Sequence, residues 1–281
     1  MPIKHGRLGV EPSSYLGGVG LDLMVALQAP PINVTSTAAS NPARNPDLRH
    51  AMALSLDRQA FIDILTEGEG DIGGVLQPPP GGLWGMAPDL LKKLPGYDPD
   101  VQKNRAEARQ IMRQLRYGPD NRLKIKVSAR DLPYLRDPAV ILIDQLKSVY
   151  IDGELETIDT TNWFPKVMRR DYIVGLTGAG SGPDPDQVLN LLYGCGGELN
   201  YNGYCSPEVD QLIEQQSIEA DQGKRRQLLW EIERKLAEDG ARPIIFYDRR
   251  ATCWNPRVKG LTLLVNSLFN GWRMEDVWLD K

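Results

Sequence analysis

The sequence predicts an α/β protein in which a mixed β-sheet is flanked by helices. Three features point to it: strand-like and helix-like segments alternate from Leu123 to Gly178, proline-opened helices recur along the chain, and an apolar stretch follows two polar helices near the C-terminus. A strand–helix–strand–helix–strand run favours parallel or mixed pairing, because a helical crossover returns the chain in its original direction.

Taken in order, "NPDLRHAMALSL" opens at Asn45–Pro46. An Asn at the cap accepts from the free N–H groups of the first turn, and proline loses nothing at the first helical position. "LDRQAFIDIL" predicts a second helix, capped by Asp57. "QPPPGGLWGM", Gln77 to Met86, has too much Pro and Gly for regular structure and reads as a surface or cleft-lining loop. The cap–proline opening returns at Asp98–Pro99, Asp137–Pro138, Asp184–Pro185 and Ser206–Pro207, and each predicts a helix start. "LKIKVSA", Leu123 to Ala129, alternates lysine with apolar residues as a half-buried strand does. "ELETIDT" and "YIVGLTG" are the next strands, with a short helix in "NWFPKVMRRD" between them. Two polar amphipathic helices, Pro207 to Ala220 and Gln222 to Asp239, precede the strand candidates in "RPIIFYDRRATCW" and "VKGLTLLV".

Composition narrows the function. A chain of 281 residues is one large or two small domains, and 41% hydrophobic with 25% charged residues describes a soluble globular protein. A net charge of −4 argues against nucleic acid as a partner. No apolar run reaches the ~18 residues needed to span a bilayer. The N-terminal residues lack the apolar stretch of a signal peptide, which implies either a cytoplasmic protein or a chain whose natural beginning lies upstream. His5 and His50 have no nucleophile motif beside them and read as solvated or helix-surface residues. The sequence has no phosphate-binding glycine loop and no H-E-x-x-H, and neither a metal nor a cofactor is expected. Cys195 and Cys205 bracket the polar loop "GGELNYNGY". A disulfide there would contribute about 2–3 kcal/mol in an oxidising compartment, and two free thiols are the alternative; the residues leave both open. Cys253, beside Trp254, reads as an inert buried thiol.

Two loops are placed for ligand binding, since ligands meet an α/β sheet where strands hand over to helices. One leaves "LKIKVSA" through "RDLPYLRD", the other leaves "YIVGLTG" through "AGSGPD". The local reading of Asp184 is a helix cap, with Pro185 at the first helical position and Gln187 completing a capping box. If the strands are parallel neighbours, Arg130 and Asp184 share one sheet edge. They would then hold the two ends of a zwitterion, or pair with each other as a surface salt bridge of little energy.

Several segments resemble a known family. "NPDLRHAMALSLDRQAFIDIL", "GYDPDVQKNRAEARQIMRQLRYGPD", "GYCSPEVDQLIEQQSIEADQGKRRQLLWEIERKLAEDGARPIIFY" and "NPRVKGL" are similar, in this order, to motifs of the extracellular solute-binding proteins of family 5. That family is the dipeptide- and oligopeptide-binding class of ABC-transporter components, and the similarity runs from about Ile32 to the C-terminus. The fold it implies is a periplasmic binding protein type II-like lobe. Family members are near twice this length, so the resemblance implies a C-terminal portion. Residues 1–31 would be an N-terminal segment partly from the first lobe or hinge, 32–240 the second lobe, and 241–281 a return segment completing the first. It further implies a periplasmic parent, a Cys195–Cys205 disulfide, ABC permease subunits as partners and a monomer.

For ligand contacts the resemblance implies Asp184, in a "GDPD"-like stretch, as receiver of an α-ammonium, and Arg130, in a stretch similar to "RPYNP", as receiver of a carboxylate. Tyr134 and Trp84 are candidate apolar walls. The function so implied is binding a peptide-like or other small polar solute between two lobes and delivering it to an ABC importer, without catalysis; an isolated half-cleft is expected to bind at millimolar strength or less. Peptides, opines, glutathione, metal chelates and sugars are all solutes of this scaffold. The alternatives are a hydrolase using the Asp184 and Asp186 carboxylates, or a lobe acting as a protein-interaction module.

Overall fold

The computed structural model describes residues 19–25, 42–76, 82–180, 184–249, 254–261 and 274–280. Along the chain these form β1 (Val19–Val25), α1 (Pro46–Ser55), α2 (Arg58–Thr66), β2 (Gly70–Asp71), α3 (Pro88–Leu91), α4 (Val101–Gln114), β3 (Leu123–Arg130) and α5 (Pro133–Lys147). Then follow β4 (Ile151–Ile158), α6 (Thr160–Met168), β5 (Val174–Gly180), α7 (Asp186–Tyr193), α8 (Pro207–Ile218), α9 (Gln222–Glu238), β6 (Ile244–Asp248), β7 (Val258–Lys259) and β8 (Trp278–Leu279). The α/β class is as the sequence predicts.

The main sheet runs β2-β6-β1-β5-β3-β4. It is parallel where helices connect the strands, β5-β3-β4, and antiparallel on the β1, β6 and β2 side. β1 thus comes from the segment 1–31 and β6 from the segment 241–281, and both join the sheet of β3, β4 and β5. On β3 the expected alternation appears: Leu123, Ile125, Val127 and Ala129 are buried while Lys124 and Lys126 are exposed. The largest core packs α1, α2, α4 and α5 on the sheet through side chains such as Met52, Phe61, Met112, Val127, Leu142 and Leu176. Each fully buried large aliphatic contributes about 1.5–3 kcal/mol. A second core joins α7, α8 and α9 through Leu189, Tyr193, Val209, Leu229 and Ile232.

The helix starts divide by what else can satisfy the first turn. Asn45, Asp57 and Ser206 cap as predicted, accepting from Asp47, Ala60 and Val209 N–H respectively. The start expected at Asp98–Pro99 moves to Asp100, which accepts from Lys103 N–H at 3.0 Å, while Asp98 accepts from Asp100 N–H. The start expected at Asp137–Pro138 is wrong. α5 begins at Pro133 and carries Pro138 inside it, because Leu135, Ala139, Leu142 and Leu146 lie on one buried face that begins before Asp137. Cys253, His5, residues 77–81 of the proline-rich loop and the second half of "VKGLTLLV", residues 262–265, lie outside the described residues.

Candidate functional site

β3 and β5 are parallel neighbours whose onward connections diverge: β3 leads to β4 at the sheet edge, and β5 leads to β6 beyond β1. A crevice forms where connections part in this way. There, at the C-terminal ends of the two strands, lies a pocket of about 280 Å³. Its walls include Trp163 and Phe164 from α6, Leu191 from α7, and Leu199 and Tyr201 from the loop after α7. Arg130, the last residue of β3, brings charge to this apolar surface.

Arg130 is held from two sides. Its Nη2 donates at 2.6 Å to the Oη of Tyr134, the second residue of α5, and its guanidinium carbon stands 5.6 Å from the Phe164 ring centre. Its Nε is buried and makes no hydrogen bond among the described residues. A buried donor without a partner costs about 1–3 kcal/mol, which an acceptor entering the pocket would recover. Arg242, also on the pocket wall, is buried, and burial lowers its pKa to about 9. It therefore stays cationic at neutral pH. Tyr134 itself is exposed and orients Arg130 without lining the pocket.

Asp184 has a different environment. Its Oδ1 accepts from Arg225 Nη2 at 2.7 Å and its Oδ2 from Arg225 Nη1 at 2.9 Å, a bidentate pair across to α9. Oδ1 also accepts from Asp186 N–H at 3.0 Å, but α7 starts one residue later than predicted: Pro185, not Asp184, holds the cap position, and Asp184 lies just outside the helix, where Arg225 takes its carboxylate. The Gln187 side chain lies outside the described residues. Arg225 Nε donates to Gln216 Oε1, and the guanidinium lies over Trp84, 4.8 Å from its ring centre. Hydrogen bonds from Arg225 hold the Asp184 carboxyl below the usual carboxylate range. The salt bridge between Arg130 and Asp184 that a shared edge allows does not form, because each has a nearer partner. Trp84 packs against the α7–α9 core rather than the pocket. Asp186 turns to Gln216 Nε2 and Ser217 Oγ, so the two carboxylates of this stretch face separate partners.

The loop that gives Leu199 and Tyr201 to the pocket is fastened at its base. Cys195 and Cys205 form a disulfide with Cα atoms 4.5 Å apart. Inside that ring Asn200, fully enclosed, donates to Gly194 O and Tyr204 O and accepts from Tyr204 N–H. Gly197 passes so close to α7 that a Cβ would collide with the carbonyls of Asn190 and Leu191. Among the described residues no three His, Cys, Asp or Glu side chains gather as a metal site, and no helix is long and apolar enough to cross a membrane. His50 lies on α1 beside Glu107, 3.9 Å away, remote from the pocket walls.

Fold and pocket together define an α/β lobe of the solute-binding type. Residues 22–200 match the model for bacterial extracellular solute-binding proteins, family 5, middle region, and the chain belongs to that family. It is 24% identical over 235 residues to di/tripeptide-binding protein 1 of Pseudomonas aeruginosa, covering 77% of this chain and 42% of that protein. It is 28% identical over 219 residues to the oligopeptide-binding protein OppA of Bacillus subtilis, covering 74% of this chain and 38% of that one. The structure is similar to the oligopeptide-binding protein AppA of Bacillus subtilis, solved with a nonapeptide, at TM-score 0.74 and 16% identity; the match covers 95% of this chain and 51% of AppA. At that identity the likeness shows the fold alone. The chain spans about half the length of AppA and less than half of the curated relatives it matches.

Proposed function

We propose that this lobe closes with a second one around a peptide-like or other small polar solute, in the periplasm, and presents it to the permease of an ABC importer. No bond is made or broken; hinge closure is the working step. The observation that carries this reading is Arg130, which lines an apolar pocket at the ends of β3 and β5 and whose buried Nε has no hydrogen-bond partner among the described residues. A guanidinium fixed on one side and free on another suits a carboxylate, which two N–H groups can grip at once. The names of the relatives, di/tripeptide- and oligopeptide-binding, support a peptide-like solute.

The test is a titration of the chain, followed by NMR into the millimolar range, with Ala-Phe and its C-terminal amide. Arg130→Gln should weaken Ala-Phe tenfold or more, about 1.4 kcal/mol, and leave the amide unchanged. Equal weakening of both, or of neither, removes Arg130 from the carboxylate role.

A further inference from the structure

Arg130 accounts for the charge at the pocket; most of the remaining wall is apolar and only partly covered. Phe164, Leu191 and Leu199 all line it, and each is between 38% and 43% exposed. Single exposed apolar side chains are ordinary on a protein surface, but three around one concavity form a patch, and a patch marks an apolar occupant. The pocket, about 280 Å³, lies just below the ~300–1,000 Å³ of sites that enclose a drug-sized molecule. That size suits one apolar group beside the guanidinium.

Two parts of this wall, Leu199 and Tyr201, come from one loop and flank Asn200. The disulfide closes the loop at its ends, while Leu199 and Tyr201 each stand four residues from the nearer cysteine. A crosslink at the base leaves the middle of a loop to be fixed by something else. Asn200 is 4% exposed and reaches both ends from that middle, donating to Gly194 O at 2.8 Å and Tyr204 O at 2.7 Å and accepting from Tyr204 N–H at 3.1 Å. On either side of it, Leu199 N–H donates to Leu191 O at 3.1 Å, which seats the loop on α7, and Tyr201 packs on the Trp163 cluster of α6. Without the Asn200 amide, a buried N–H and two carbonyls would lose these partners, and the loop would have to rearrange to satisfy them.

We propose that Leu199 and Tyr201 are the selective wall of the pocket, favouring solutes that carry an aromatic or branched aliphatic group next to the carboxylate assigned to Arg130, and that Asn200 is the positioning residue that holds this wall. The inference rests on the solute-binding reading above and narrows it. Asn200 is not itself among the lining residues and acts through its two neighbours.

The probes are Ala-Phe, Ala-Leu and Ala-Ala, which share both charged termini and differ in one side chain. In NMR titrations of the 281-residue chain, Ala-Phe and Ala-Leu should bind about tenfold or more tighter than Ala-Ala. Tyr201→Ala and Asn200→Ala should each cut that preference about fivefold, and Tyr201→Phe should retain it. The ratio is the readout, because a partial loss of folded protein weakens all three probes alike. Opening the crosslink with Cys195→Ser and Cys205→Ser together should leave the ratio within about twofold. Equal binding of the three probes, or an unmoved ratio in folded Tyr201→Ala, overturns the selective wall while leaving the solute-binding reading intact. An unmoved ratio in folded Asn200→Ala overturns its positioning role. Should Asn200→Ala fail to fold, the disulfide-free variant decides, and loss of the preference there overturns Asn200 in favour of the crosslink. Failure of all three probes to shift any resonance of the folded chain overturns both readings.

Discussion

Arg130 and Asp184 each stand where a strand of the same parallel trio gives way to a helix, yet their surroundings differ in kind. Among the described residues, Arg130 ends β3 with a hydrogen bond to the Tyr134 phenol and a buried Nε–H without a partner. Asp184 follows β5 with both oxygens bound by a guanidinium whose Nε is held in turn by Gln216. A charge satisfied by the chain holds elements together, here α7 to α9; a charge left partly unsatisfied beside a pocket is available to something else. Position at a strand end does not distinguish the two. The partner does.

The comparison extends inward to Glu233, and removing it should give the largest effect. Glu233 on α9 is buried, and its oxygens accept from Leu76 N–H at 3.0 Å and Met86 N–H at 3.1 Å. One carboxylate thus fixes both sides of the proline-rich segment. Glu233→Ala leaves two buried donors without acceptors and should cost about 3 kcal/mol in urea unfolding. Burial pushes the Glu233 pKa up to about 8, against the pull of the two N–H groups. An acid whose folded pKa is raised binds a proton in the folded state that the unfolded state has released. The wild type should therefore lose stability as pH rises from about 4.3, the unfolded value, towards 8. Glu233→Gln should flatten that slope. A wild-type stability that climbs across the same window would show that Glu233 is ionised in the fold and belongs with Asp184 as a charged tie.

Asp184→Asn comes next. The Asp184 side chain is 44% exposed, so solvent screens the pair and the loss should be about 1 kcal/mol, measured by chemical unfolding near neutral pH. The sign with pH is opposite to that of Glu233. A carboxyl held below its usual range stabilises above the unfolded pKa of about 3.9 and loses that contribution as pH falls further. The wild type and Asp184→Asn should therefore converge in stability in acid. A gap that persists to low pH would place the effect in packing instead of charge.

What the sequence made legible follows from distance along the chain. The β3–α5–β4–α6–β5 run was readable because alternation in β3 and the length of each helix are local properties. β1 was not, since its partners β5 and β6 lie far downstream and nothing in "VGLDLMV" names them. Cap residues were readable where one candidate existed, at Asn45 and Ser206, and misplaced where Asp98 and Asp100, or Pro133 and Pro138, competed. In the site, Arg130 was found because it ends a strand, and Cys195–Cys205 through family resemblance. Arg225 was missed because it is 41 residues from Asp184, with only an arginine-containing helix to suggest it. Trp163, Phe164, Leu199 and Tyr201 were passed over because each is ordinary in its own segment, and only the fold brings them to one pocket.

The smallest stability effect is expected at Arg130, the residue proposed to receive the solute's carboxylate. Arg130→Gln removes an exposed hydrogen bond to Tyr134 and a cation–ring contact at 5.6 Å, together about 1 kcal/mol or less. It also removes a buried N–H without a partner, whose cost works in the opposite direction. The two nearly cancel, so the unfolding midpoint in urea should shift by no more than about 0.5 kcal/mol equivalent. That near-neutrality is the thermodynamic mark of a side chain kept for a ligand: the free protein gains little from it, and the missing interaction is supplied only on binding. A loss of about 2 kcal/mol or more would make Arg130 a tie within the fold like Asp184 and would remove the support for its proposed carboxylate role.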